Sequence, residues 1–301
     1  MLEKLTVNNM ENFKSLYCDN FRLKSYNKDF FKSYENQNFL VKFLYRKYIK
    51  LIKYDNNYIG YIWYENSYDN YVKVWALYID PKYKEEINID MLSFFNNNYL
   101  AYEEIESDEN TFILKALGFM KKGYTILLKM NTKDFDYNSN NYITTENKEK
   151  LNKKLSNNKI DFSSRKFIRG KDERLRCELQ NNIFNKWDRM PLNIGDIYAD
   201  MSQDYYLNEF SFFGTINNIP IGYGQIIFNR NMYTIVNFGV ISTFRSLGLG
   251  RLFLNEIINS AKANKISELY IRVDSDNISA INLYKSIGFK EENKITIWER
   301  N

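Results

Sequence analysis

One hairpin pattern occurs twice in this chain, and it restricts the possible folds more than any other feature. Residues 55–64 read DNNYIGYIWY, and residues 216–227 read INNIPIGYGQII, with Gly222 standing 162 positions after Gly60. In each copy an Asn-rich pair separates two alternating apolar runs, as in strands joined by a tight turn. The likeness continues outward. Residues 75–79 match 237–241, and Leu-Gly-Phe at 117–119 matches Ile-Gly-Phe at 287–289. A repeat this long is a duplicated domain and not a solenoid unit. The alternative is two α/β halves that share only generic strand patterns.

Periodicity fills in the rest. The first half reads as helices around 13–21 and 39–48. A hairpin over 51–53 and 58–65, turning at 55–57, comes next, then a strand at 72–79 and a helix at 91–100. An acidic patch at 103–109 reads as a solvated face, followed by a short helix at 114–119 and a strand at 124–130. Residues 131–160 are rich in Asn, Lys, Asp and Ser, with a short helix possible at 148–155, and 136–160 reads as a linker. The second half reads as a strand at 167–169 entering a helix at 175–184. Strands at 210–215, 221–228 and 234–241 follow. A helix at 249–262, a strand at 268–273, a helix at 278–287 closed by Gly288, and a strand at 295–298 complete it. The expected domains are 1–135 and 161–301.

The candidate site lies in the second copy, at 234–250, TIVNFGVISTFRSLGLG. A strand runs into a polar turn, and Gly248 and Gly250 flank Leu249 where a helix begins. Glycines there allow close backbone approach, and the first N–H groups of a helix have no intrahelical acceptor. With the helix dipole they suit a phosphate. Alone this is a weak signal.

A second block strengthens it. Arg245-Ser246-Leu247-Gly248-Leu249-Gly250 resembles the Arg/Gln-x-x-Gly-x-Gly/Ala turn of the GNAT superfamily of acyl-CoA-dependent N-acyltransferases. Val240 is in place, and Ser242 stands where proline is usual. Asn277, Ala280, Leu283, Tyr284, Gly288 and Phe289 match that family's Asn-x-x-Ala-x-x-Leu-Tyr-x-x-x-Gly-Phe block. The resemblance is specific over 216–298. It implies two GNAT-like domains of α/β (α+β) class, each a mixed, mostly antiparallel twisted sheet flanked by helices. It also implies acetyl-CoA as co-substrate. The 245–250 backbone would hold its pyrophosphate. Pantetheine would lie between the diverging strands against Phe238, Gly239 and Val240, with Asn277 and Ala280 nearby. Tyr284 would be the general acid; its plain alternative is one packing tyrosine among 25.

Composition narrows the chemistry. Histidine is absent, so Ser-His-Asp and Cys-His nucleophiles and histidine metal sites are excluded. Cys18 and Cys177 lack metal-ligand spacing and read as reduced thiols, so no metal is expected. No carboxylate lies on the strand at 233–241. Glu209, the acids of 196–204, Glu299 or the C-terminal carboxylate are the candidate bases. Residues 1–140 carry 19 basic and 19 acidic side chains, so the net charge of +5 lies wholly in the second half. That suits an anionic cofactor, and a solvated surface equally. No basic stripe suggests nucleic acid, and no long apolar run suggests a membrane span. The charged, Asn-rich first residues are unlike a signal peptide, so a cytoplasmic protein is expected.

The first copy departs where the chemistry would lie. Lys84-Glu85-Glu86-Ile87-Asn88-Ile89 falls over the phosphate turn, and Leu114 over Tyr284. Only three of 12 glycines precede residue 140. This half is expected to keep the fold and lack the cofactor. The leading reading is direct acetyl transfer to a small-molecule or peptide amine in a ternary complex. The alternatives are a coenzyme-A-binding module without turnover, and a relative transferring a longer acyl or aminoacyl group.

Overall fold

The computed structural model describes residues 1–21, 29–68, 70–137, 143–155, 160–185, 189–229 and 231–301. It forms two compact units, Met1–Thr125 with Asn293–Asn301, and Ile126–Glu292.

The first unit holds β1 (Leu2–Lys4), α1 (Met10–Phe21), α2 (Phe30–Glu35), α3 (Phe39–Lys47), β2 (Ile49–Tyr54), β3 (Asn57–Tyr68), β4 (Tyr71–Ile79), β5 (Tyr99–Ile105) and α4 (Asp108–Ala116). Its strands run β1-β2-β3-β4-β5 and end on the chain's last strand, β12 (Lys290–Arg300). β4 and β5 are parallel, and the β1–β2, β2–β3, β3–β4 and β5–β12 pairs are antiparallel. One sheet face packs rings of Phe13, Tyr17, Phe30, Tyr61 and Trp63 under the helices. Trp298 of β12 is buried in the cluster on the other face, with Ile62, Leu77 and Leu114.

The second unit takes β6 (Met120–Asn131) from Ile126 on. It adds α5 (Thr145–Leu155), β7 (Phe162–Lys166), α6 (Glu173–Ile183), α7 (Ile194–Met201), β8 (Tyr206–Ile216), β9 (Ile219–Asn229), β10 (Met232–Val240), α8 (Leu249–Ala263), β11 (Glu268–Asp274) and α9 (Ile278–Ile287). The strand order is β6-β11-β10-β9-β8-β7, with β10 and β11 parallel. Helix α8 buries Leu249, Leu252, Phe253, Ile257, Ile258 and Ala261, the face its periodicity predicts.

The duplication is visible in the backbone. Asp55 and Asn56 have φ of 43° and 63°, and Asn217 and Asn218 have 48° and 66°. Two consecutive left-handed residues make the turn whose twist matches a two-residue hairpin, and Asn and Asp tolerate that region. A Cβ on Gly60 would lie 2.1 Å from the Tyr78 carbonyl oxygen, and one on Gly222 2.9 Å from that of Gly239. Both copies need glycine because the neighbouring strand passes that close.

Several expectations are corrected. The break at 135 is displaced, because Ile126 onward belongs to the second unit. Thr132 N–H donates to Ser267 O at 2.9 Å, and Lys262 Nζ to Phe135 O at 2.7 Å. The end of the chain, read as the last strand of the second domain, pairs with β5 in the first from Ile295 to Arg300. The segment 136–160 is only partly described. Within it α5 buries Leu151 against Ile216, Ile221 and Val240, so it is part of a core and not a linker. Residues 91–100 form no α-helix. A short 3-10 segment, Ile89–Phe95, precedes β5. The acidic patch is split between β5 and α4, and Glu104 is buried beside Tyr102 and Asn110. The strand read at 167–169 ends at Lys166, and α7 was not foreseen.

The entry to α6 makes a testable ion pair. Arg165 Nη1 and Nη2 donate to Asp172 at 2.6 and 3.0 Å, and Ile168 N–H donates to the same carboxylate at 2.8 Å. The Arg165 bond is the main reason its carboxyl is held below the usual 3.8. A depressed folded-state value means the stabilisation is complete above the unfolded value and lost as pH falls through the folded one. Asp172→Asn should cost about 1–3 kcal/mol at pH 7 and much less at pH 2. Urea melts at both pH values test this; equal losses at both would remove the charge from the account.

Candidate functional site

Strands β10 and β11 pair only at Thr234–Tyr270 and Ile235–Ile271. Beyond that point they share no ladder, so a cleft opens between them. β10 also changes register against β9 there. Val236 faces Gln225 and Gly239 faces Tyr223, so Asn237 and Phe238 together oppose Gly224. Asn237 has φ of 53°. This is a β-bulge, which leaves a residue outside the ladder and turns its peptide outward. Helix α6 crosses here, since a Cβ on Gly239 would lie 2.4 Å from Ile183 Cγ2.

The turn below the bulge is a short 3-10 segment, Ser242–Phe244, followed by Ser246 at φ 60° and Gly248 at φ 81°. The main-chain N–H groups of Ser246, Leu247, Gly248, Leu249 and Gly250 donate to no acceptor among the described residues. They lie at the N-terminus of the 15-residue helix α8. Five free donors with a helix dipole behind them fit an anionic group such as a pyrophosphate. A Cβ on Gly248 would meet nothing closer than Asn147 Nδ2 at 3.6 Å. The start of α5 therefore borders the turn.

Helix α9 completes the cleft. The Asn277 side chain caps it, accepting from Ala280 N–H at 3.2 Å. Tyr284 points back to β10, its ring centroid 6.3 Å from Phe238 and 6.2 Å from Phe289. Phe238 in turn stacks on Phe253 of α8 at 5.6 Å. Tyr284 is 7% exposed, and its hydroxyl has no hydrogen-bond partner among the described residues. Burial raises its pKa well above the ordinary tyrosine value, so it keeps its proton at neutral pH.

Of the expected site residues, the structure sets the Tyr284 ring against Phe238 at the strand split, and Gly250 beside Leu283 and Val240. Two expected binding residues also make hydrogen bonds within the fold. Arg245 donates from Nε to Val240 O at 2.9 Å and from Nη2 to Ile183 O at 2.6 Å, and its own N–H to Ser242 O. It braces the end of β10 against α6, and Val240 O is spent on it. The Asn277 Oδ1 is spent on the helix cap.

The candidate bases divide. Glu209 pairs with Lys166 at 2.6 Å, and Asp196 closes the capping box of α7. Glu299 and the chain terminus belong to the first unit, where Glu299 meets Lys122 at 3.5 Å. Asp200 is bonded by Arg176 Nη2, by Tyr205 Oη at 2.9 Å and by Gln225 Nε2 at 3.3 Å. Gln225 also accepts from Tyr223 Oη at 2.6 Å. This buried network, on the α6–α7 side of the sheet beside the bulge, was not read from the sequence. The one available signal was Arg176 and Gln180, polar residues four apart on the apolar face of a helix.

Residues 180–289 match the Acetyltransferase (GNAT) family. The [ribosomal protein bS18]-alanine N-acetyltransferase of Salmonella typhimurium is 36% identical over 58 residues, which is 19% of this chain and 39% of that protein. The match therefore spans well under half the length of that relative. A GCN5-related N-acetyltransferase from Sphaerobacter thermophilus superposes with a TM-score of 0.71 at 12% identity, over 100% of this chain and 95% of that one. A tandem GNAT protein from the clavulanic acid biosynthesis pathway has a TM-score of 0.55 at 9% identity, over 83% and 81%. At these identities the two structures share the fold.

Proposed function

We propose, from the match of residues 180–289 to the Acetyltransferase (GNAT) family, that the second unit transfers an acetyl group from acetyl-CoA to an amine. The observation that carries this reading is the meeting of Tyr284 with the bulged Phe238 at the strand split, on a strand that leads into a turn whose five N–H groups meet no acceptor among the described residues. Acetyl-CoA supplies an acyl group on a thioester. The amine nitrogen forms the new C–N bond as the C–S bond breaks. Tyr284 Oη–H gives its proton to the leaving sulfur, and the proton shed by the amine passes to water, which returns one to the Tyr284 oxygen. The turn N–H groups of Ser246–Gly250 hold the pyrophosphate, and Phe238 and Gly239 line the pantetheine path. Arg245 acts as the brace of this turn.

On this reading the described residues of the first unit offer no second coenzyme site. Its counterpart of the turn is two 3-10 segments, and a Cβ on Gly118 would lie 2.8 Å from Ile89 Cδ1, which fills that corner. Buried Arg300 donates to Leu117 O at 3.0 Å beside it. Calorimetry should therefore give one coenzyme A per chain, and a free-thiol assay with a panel of amines should show release above hydrolysis. Two equivalents would overturn the first point, and tight binding without turnover on any amine the second. A module without turnover is the second reading, favoured by the absence of a carboxylate on β10. A relative that acetylates a ribosomal protein's alanine makes a peptide N-terminus one acceptor to include in the panel.

A further inference from the structure

Helix α6 carries donors that no acceptor among the described residues meets. Arg176 is 1% exposed, and among the described residues only its Nη2 is bonded, to Asp200. Its Nε and Nη1 are buried with no partner, and so is Nε2 of Gln180, which is 2% exposed. Arg176 and Gln180 are four residues apart, so they share one face of the helix. The guanidinium lies over the rings of Tyr223 and Tyr206, at 5.0 and 5.7 Å. Buried N–H groups left without acceptors are costly, and here several of them gather on two adjacent side chains. All are donors, and one carries a full charge. What they lack is an acceptor with two oxygens and negative charge.

The position of this donor set relates it to the cleft. Gln180 lies three residues, about 4.5 Å along the helix, before Ile183, the side chain that covers the bulge at Gly239. Gln225, bonded to Asp200, faces Val236 beside the same bulge. The network reaches solvent at Asp200, whose side chain is 20% exposed, and at the half-buried Tyr205 and Tyr206.

We infer that the acceptor amine carries a carboxylate, and that Arg176 and Gln180 hold it. This rests on the acyl-transfer reading. A guanidinium presents paired N–H groups that match the two oxygens of a carboxylate, and Gln180 adds a neutral donor beside it. Asp200 keeps Arg176 oriented from the other edge. Burial makes the interaction selective, since an uncharged amide in the same place adds donors where donors are already in excess.

The test compares glycine, β-alanine, γ-aminobutyrate and L-lysine, each with its primary carboxamide, as acceptors in the thiol-release assay. The series varies the distance from amine to carboxylate. At least one acid should exceed its amide by about tenfold or more in kcat/KM. Gln180→Leu, which breaks no bond to a described residue, should remove most of that preference and leave coenzyme A affinity unchanged. Arg176→Lys should do the same, with Gln180→Leu deciding if that variant fails to fold. Amides used as well as acids, or a preference untouched by Gln180→Leu, would overturn the inference while leaving acyl transfer standing. Should no amine turn over, calorimetry with the N-acetyl derivatives of the same acids and amides, coenzyme A present, gives the answer by binding. Acid-selective binding weakened tenfold by Gln180→Leu supports the site, and equal binding of acid and amide sinks it.

Discussion

Tyr284→Phe is expected to lower kcat at least about tenfold, a floor set below the ~10²–10⁴-fold span typical of a positioned acid. Coenzyme A affinity should stay within about twofold, because the phenyl ring keeps its contacts with Phe238 and Phe289. The fold should not suffer either, since the hydroxyl bonds to no described residue. A loss of kcat with intact binding is the mark of a group that acts only in the transition state. The raised pKa adds a second readout. Burial disfavours the phenolate, so the acid form persists well above the ordinary tyrosine range. The wild-type rate should therefore show no alkaline fall from this residue near pH 10. An unchanged kcat in the variant removes Tyr284 from the mechanism.

Gly248→Val is expected to weaken coenzyme A binding at least about tenfold, because the free N–H groups would lose their common direction. Gly248 has φ of 81°, and a branched L-residue resists that region by about 1–2 kcal/mol or more. The chain would relieve the strain by rotating the peptides on which the turn depends. Gly250→Ala is the control. Its Cβ would sit 3.7 Å from Leu283 Cδ2 and 4.0 Å from Val240 Cγ2, ordinary contact distances, and its backbone is not left-handed. It should bind coenzyme A nearly as wild type does. Calorimetry on both variants decides the matter; parallel losses, or none in Gly248→Val, would mean that the turn does not hold the ligand.

Much of this arrangement was legible beforehand, and the parts that were legible share a cause. The hairpin turns at 55–56 and 217–218 announce themselves because Asn and Asp accept left-handed backbone at little cost. The buried face of α8 follows from its 3.6-residue period. The link between Gly248, Gly250 and Tyr284 came from two spaced blocks read together. For Arg245 nothing local says that Val240 and Ile183 use its side-chain donors. The Arg176–Asp200–Gln225 network was missed because its members come from three separate elements.

By itself the sequence determined the duplication and the class of each unit. These depend on residue type and spacing within one or two elements, where backbone preference and periodicity act directly. Tertiary structure alone decided that residues 293–301 complete the first unit and 126–131 the second. It also decided that Arg245 is a brace, that Tyr284 meets Phe238, and that Arg176 and Gln180 are left with donors to spare. Each of these is a pairing between segments distant in the chain. Such pairings are chosen by which burial leaves the fewest polar groups unmet, a condition on the whole fold that no local stretch expresses.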